Sequence, residues 1–360
     1  MFKINSEKIG GCQSKTIKTK RVCSLFSLLF SVFLFGSLVH AENVVNVYSL
    51  RQSFLIEPML NLFERKTGTT VNVVYADKGI AQRLKSEGKN SPADVILTVD
   101  IASLYELVKL DLAQSVSSKV LRDTIPENLR SSDDMWFALT TRARVFYVSK
   151  ERVMPEEILN YEELSDRKWQ GRICVRSGYH KYNVSLFSAF LDEHGKVATT
   201  RWLKGFKKNL ARKPQGNDRA QAKAIRDGIC DVALGNSYYF GQMLDNETEP
   251  EQKKWAEAVR LVFPNQESWG THVNVSGMAM AKHSPNKQRA RELMEFLIGE
   301  EAQKLYANDN YEYPVNPKVK KSGKIPELNK DFIADDRSLE KIAKMHRLIV
   351  VLLDRVKFDK

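Results

Sequence analysis

The apolar and β-branched runs Val44 to Tyr48 and Thr70 to Tyr75 have strand character. Between them, Leu55 to Lys66 places its apolar residues at helical spacing and stops near Gly68. A helix over Ile80 to Glu87 and a strand over Ala93 to Thr98 complete a β-α-β-α-β run. Strands separated by helices pair in parallel, so the pattern predicts an α/β sheet. Ligands of such sheets sit beyond the carboxyl ends of the strands, here Ser49 to Phe54, Ala76 to Gly79, and Val99 with Asp100.

The rhythm changes at Trp136 to Val148, where WFALTTRARVFYV has strand composition with no intervening helix. We read it as a crossover into a second lobe. That lobe is expected to hold a helix over Tyr161 to Ser165, a strand over Arg172 to Arg176, helices over Val184 to Glu193, Thr199 to Asn209 and Asp218 to Asp227, and a strand over Asp231 to Leu234. A second strand-like run, His272 to Ala281, crosses back. Helices over Asn286 to Ile298 and Glu301 to Ala307 follow, and the amphipathic stretch Leu339 to Val356 reads as a helix strapped across a lobe. The expectation is a two-lobed α/β protein, each lobe a mixed sheet flanked by helices, joined by paired hinge strands. Its segments are 42–140 for the first lobe, 141–272 for the second, 273–318 for the return, and 319–360 for the closing helical segment.

Residues 1–41 read as a signal peptide: a basic stretch ends in Lys18, Lys20 and Arg21, an apolar run extends from Cys23 to Leu38, and Val39-His40-Ala41 supplies small residues for cleavage. The apolar run is short for a bilayer span, and the alternative is an uncleaved anchor. Cleavage after Ala41 implies a periplasmic protein. The leader holds six of the 56 Lys and Arg and one of the 44 Asp and Glu, so the net charge of +12 falls to +7 in the mature chain. Nucleic-acid binding would favour basic residues clustered at aromatic stacking positions, whereas basic residues such as Lys204, Lys207 and Lys208 are spread over helical faces and read as solvated surface. Cys174 and Cys230 are the two cysteines that remain. An oxidising compartment invites a disulfide between them, the alternative being two buried thiols.

Catalytic signatures are missing: there is no G-x-S-x-G, H-E-x-x-H, phosphate loop or mature C-x-x-C, so an enzyme is not favoured. The five mature histidines, including His180 and His272, lack metal-ligand spacing. Tyr238 and Tyr239 stand adjacent in GNSYYFGQ, where a strand gives way to a helix and side chains project into clefts. The ordinary role for such tyrosines is half-buried packing with one satisfied hydroxyl. An echo adds context: Tyr182 follows Cys174 by eight residues, as Tyr238 follows Cys230, and a disulfide would bring the two loops together. Tyr179 and Tyr311 read as loop-edge packing, Phe187, Phe190 and Leu191 as core, and Asp77 and Asp100 as helix caps at the cleft mouth.

NSPADVILTVD, WFALTTRARV, GRICVRSGYHKYN, RKPQGNDRAQ, GICDVALGNSYY and VFPNQ followed by SWGTHVNVSGMAMAKHSPN occur in that order. Together they make the chain resemble the periplasmic ferric-iron-binding proteins of ABC transporters, from about Val44 to Asp359. The resemblance implies a type II periplasmic-binding-protein fold and Fe(III) held by Tyr182, Tyr238 and Tyr239. It also implies a monomer that delivers ferric ion to an inner-membrane permease and its ATPase. The chemistry agrees, because Fe(III) is a hard cation that prefers anionic oxygen donors, and a bound trivalent ion stabilises phenolate far below its usual pKa near 10.

The chain departs from part of that family: some members carry His-Tyr in the first loop, where YSLRQSF offers Gln52 and Ser53. Three tyrosines leave coordination positions open, which relatives fill with an anion such as carbonate or with water. Arg51, Gln52 and Arg142 match the anion-binding set of those relatives, and an arginine fork suits a planar oxyanion. The alternative for Arg142, with Arg144, is a solvated strand surface, and Asn236 could donate to the anion or cap the following helix. An organic or oxyanionic solute, such as a polyamine, thiamine or a phosphonate, is the competing ligand class. A polyamine would need carboxylates where this sequence has arginines.

Overall fold

The structure, a computed structural model, describes residues 43–321 and 324–360. The expected signal peptide lies outside the described residues. Strand β1 (Val44–Ser49), helix α1 (Glu57–Thr67), β2 (Thr70–Tyr75), α2 (Ile80–Glu87), β3 (Val95–Thr98) and α3 (Ile101–Lys109) open the fold. Pro58 at the start of α1 and the left-handed Gly68 that ends it set that helix's limits. β1 pairs in parallel with both β2 and β3, as the alternation of strands and helices requires. The short elements β4 (Ala113–Gln114) and α4 (Lys119–Thr124) lead to β5 (Phe137–Ser149).

The chain continues through β6 (Ile173–Cys174), α5 (Lys181–Lys208), α6 (Asp218–Arg226), β7 (Val232–Asn236), α7 (Ser237–Leu244), α8 (Glu251–Glu257) and β8 (Val259–Val262). The two helices expected around Gly195 are two arms of α5. Gly195 breaks them with φ +72°, and Thr199 bonds back to its carbonyl at 2.8 Å. The strand expected over Arg172 to Arg176 is only two residues long, and the helix expected over Tyr161 to Ser165 is a 3-10 turn capped reciprocally by Asn160 and Glu163. β9 (Val273–Ala281), α9 (Lys287–Leu297), α10 (Glu300–Asp309), β10 (Tyr313–Pro314), α11 (Pro326–Asn329) and α12 (Leu339–Val356) complete the chain.

One sheet path runs β2-β1-β3-β9-β5-β7-β6. Its middle is the antiparallel pair β5 and β9, and β5 changes partners along its length. Up to Ala143 it pairs with β9, and from Arg144 onward it pairs with β7 and β8. The exchange is sealed where the Arg144 N–H donates to the His272 carbonyl at 2.9 Å. One core surrounds β1, β3 and β9 with Val47, Ile96, Leu104 and Met278. Beyond the exchange the core forms two clusters, one around Phe146, Phe187 and Trp202 and one around Tyr147, Ile225 and Phe240. Phe187, Phe190 and Leu191 are core, as their spacing indicates.

Helix α12 joins these cores. Leu339, Ile342 and Ala343 pack into the first, and Ile349, Leu352, Leu353 and Val356 into the second, so the strap lies across both and not on one lobe alone. Its amphipathic period supplies one apolar stripe long enough to serve both. His346 stands between the two halves with Nε2 shielded and unpartnered. Burial lowers its pKa to about 4, against the opposing pull of Asp100.

An unfolded histidine protonates near pH 6.5, so the folded state must resist that proton until about pH 4. Stability is therefore expected to fall with acidification across that window, at up to about 1.4 kcal/mol per pH unit for this one group. His346→Gln should flatten the slope, measured by denaturant unfolding at stepped pH. An unchanged slope would show that His346 does not carry the effect.

Candidate functional site

Three phenols meet at the ends of the second-lobe strands. The parallel pairing of β6 with β7 sets Cys174 opposite Ala233, and Cys174 is disulfide-bonded to Cys230 with their Cα atoms 5.8 Å apart. α5 starts beyond β6 with Tyr182 in its first turn, and α7 starts directly from β7 with Tyr238 and Tyr239 in its own. The hydroxyls of Tyr182 and Tyr238 lie 3.2 Å apart, and the rings of Tyr238 and Tyr239 are 4.2 Å apart. All three line a cavity of about 380 Å³ with Arg51, Gln52 and Arg142.

Burial, followed by the neighbouring phenols Tyr182 and Tyr239, raises the Tyr238 pKa well above its ordinary value. Burial also raises that of Tyr239. Both are therefore neutral phenols at ordinary pH. His180 caps α5, accepting the Tyr182 N–H at Nδ1 (3.3 Å), and its ring meets the Tyr182 ring edge-on at 4.5 Å. Burial, then the Arg176 charge, lowers the His180 pKa to about 3.

Arg51 is buried at the end of β1, its Nη2 donating to Glu312 Oε2 at 2.8 Å. Thr140 holds the same carboxylate oxygen at 3.0 Å. Gln52 is exposed at the cavity rim. Arg142 and Arg144 are both buried, which corrects the alternative of a solvated strand surface. Residues two apart on a strand share a face, and this one turns inward. Arg142 donates to Ser276 Oγ at 3.0 Å and to the Val99 carbonyl. Arg144 donates to Asp218 at 2.6 Å, Asn236 Oδ1 at 3.0 Å and Asn183 Oδ1 at 2.6 Å.

Asn236 does not cap the following helix, and its side-chain Nδ2 is buried without a hydrogen-bond partner. Its amide oxygen accepts from Arg144 behind the phenols. Asp100 caps α3 as expected, accepting the Ser103 N–H at 2.8 Å, and Lys181 reaches it across the cleft at 3.4 Å. Tyr179 bonds Asp354, and Tyr311 bonds Asp245. The sequence assigns no role to Glu312, Arg176, Asp218 or Arg219, although Arg176 stands in GRICVRSGYHKYN. Glu312 is 261 residues from the arginine it neutralises, and no local pattern announces such a pair. GNDRAQ did flag Asp218 and Arg219, but without a role. Arg219 lies over the Tyr239 ring at 4.7 Å and bonds Gln242 at 2.7 Å.

The family model for bacterial extracellular solute-binding proteins matches residues 59–333. The chain belongs to that family. Iron uptake protein A1 of Synechocystis is 45% identical over 303 residues, covering 84% of this chain and 83% of that protein. The Mannheimia haemolytica ferric iron-binding protein A, solved in an open conformation, superposes with a TM-score of 0.83 at 52% identity, covering 88% and 99% of the two chains. A Trichodesmium protein solved with iron and citrate ligands gives 0.83 at 39% identity, with the same coverage. The fold is the two-lobed type II periplasmic-binding-protein fold, with β5 and β9 as its hinge strands.

The buried Arg51 and Glu312 pair yields a prediction. Burial opposes ionisation of Glu312, but Arg51, with Arg142 behind it, holds the carboxyl below its usual value. Its contribution is full above the unfolded pKa and is lost as pH falls through the lower folded one. Glu312→Gln strands the Arg51 charge and is expected to cost about 3–5 kcal/mol in denaturant unfolding at neutral pH. A cost within about 0.5 kcal/mol, the range of an ordinary surface change, would contradict it.

Proposed function

We propose that the mature chain captures Fe(III) between its lobes and surrenders it to an inner-membrane ABC permease with its ATPase, performing no bond chemistry itself. The observation that carries this reading is the convergence of Tyr182, Tyr238 and Tyr239 on one cavity rimmed by guanidinium groups. Three phenolates balance the charge of a ferric ion, and phenolate oxygen is the donor a hard trivalent cation prefers. Among the described residues no group of three or more His, Cys, Asp or Glu could hold a metal, so the phenols are the donor set the cleft offers. The names of the relatives agree, since they are iron-uptake and ferric-iron-binding proteins.

Three protein ligands leave room for an anion such as carbonate. Arg142 is the residue best placed for it, at the cavity wall with its Nε buried and unpartnered. Arg51 is engaged by Glu312, so its part is to add positive potential and hold the loop. Gln52 at the rim is free to reach an anion from the solvent side. A polyamine would meet guanidiniums where it needs carboxylates, and that competing reading loses ground.

The lobes of this reading are 42–140 with 273–318, and 141–272, with α12 of the closing segment 319–360 packed against the cores of both. Among the described residues no helix is long and apolar enough to cross a membrane, which suits a protein released into the periplasm. A monomer suffices, because every proposed ligand comes from one chain.

Titration of the purified mature protein with ferric citrate is expected to raise a broad visible band that saturates at one equivalent. The triple Tyr182, Tyr238, Tyr239 to Phe variant should show none. Because binding displaces phenolic protons, the band should bleach as pH falls, and the Tyr238 and Tyr239 shifts give that sign. A colourless wild-type protein would refute the iron reading and favour an organic or oxyanionic solute.

A further inference from the structure

Three guanidiniums converge on one phenol. The Cζ atoms of Arg142 and Arg176 lie 5.3 Å from the centroid of the Tyr182 ring, and that of Arg144 lies 5.9 Å away. Their placement is fixed from behind. The carboxylate of Asp218 is wholly buried, accepts from Arg144 at 2.6 Å and from Arg176 at 3.1 Å, and takes the Asn236 N–H at 2.9 Å. Arg144 also holds Asn183, the residue after Tyr182, at 2.6 Å. Arg176 and Asp218 do not line the cavity, so neither is placed to touch a bound ion.

The cluster therefore puts three positive charges and one negative charge around a single proposed ligand. A fixed cation beside a phenolate lowers the energy of its electron pairs, and in a shielded site that effect is far larger than in water. We infer that Arg176 and Asp218 are positioning residues for iron binding, a cationic cradle that makes Tyr182 the weakest electron donor of the three tyrosinates and biases the bound ion toward its reduced state. This rests on the tyrosinate reading above.

Two signs follow. Arg176 lies against the Tyr182 ring but outside the cavity lining, so its charge lowers the phenolate orbitals more than those of an ion in the cavity, which raises the charge-transfer energy and holds the visible band at short wavelength. Positive charge near the iron also favours the ferrous state, whose complex carries one more negative charge.

The test uses the iron-loaded mature protein and its Arg176→Gln, Arg176→Lys and Asp218→Asn variants, read by visible absorption and by spectroelectrochemical reduction. Arg176→Gln removes a positive charge and should shift the band to longer wavelength and lower the reduction potential. Arg176→Lys keeps the charge and should restore both. Asp218→Asn removes the negative charge and should move both in the opposite direction from Arg176→Gln. A purely structural role would not give opposite signs. If Asp218→Asn does not fold, the contrast between Gln and Lys at position 176 still decides. Bands and potentials that stay at their wild-type positions, or a lysine variant that behaves like the glutamine one, would overturn the cradle while leaving tyrosinate binding intact. Absence of any band in the unmodified protein would overturn both.

Discussion

The ion pair between Arg144 and Asp218 sits where the hinge strand meets the elements that hold the three phenols. Both groups are buried and 2.6 Å apart. Arg144 belongs to the hinge strand at the residue where β5 changes partners, Asp218 opens α6, Asn183 follows Tyr182 in α5, and Asn236 ends β7 just before the helix that carries Tyr238 and Tyr239. A buried charge is tolerable only when paired and hydrogen-bonded, and here the requirement is met by drawing four elements together. Asp218 uses its two oxygens for Arg144, Arg176 and the Asn236 N–H. The phenols are thus held on the same network that stiffens the hinge, and their geometry and the crossover are not independent.

The alternation of strands and helices made the first lobe legible, including its parallel pairing, because each element there is defined by its own local period. The hinge strands were legible for the same reason: each is a long apolar run that no helix interrupts. Short elements such as β6 and the 3-10 turn at Tyr161 were overdrawn, since their apolar residues are buried by distant partners and not by a continuous ladder. The closing helix showed its stripe, but a stripe says that a face is covered and not by how many cores.

The site divides along the same line. Tyr238 and Tyr239 could be singled out by their adjacency at a strand end, and the matched distance to a cysteine gave Tyr182 a plausible place beside them, but the resemblance to ferric-iron-binding proteins joined the three as a proposed set. What surrounds them could not be singled out. Glu312 neutralises Arg51 from the far end of the chain, Asn236 serves an arginine and not a helix, and Arg144 was weighed only as a surface residue. Each is a buried charge or dipole whose partner is set by tertiary contact, and a single sequence carries no period or spacing for such pairs.

The central claim is that one metal ion sits among the oxygens of Tyr182, Tyr238 and Tyr239. Crystals of the iron-loaded mature protein, with diffraction collected on both sides of the iron absorption edge, place the metal without reference to any expected geometry. The account predicts a single strong anomalous peak within bonding distance of all three phenolic oxygens, with a further density feature facing Arg142. A peak bonded to other residues, or the absence of a peak in the cleft, would contradict it.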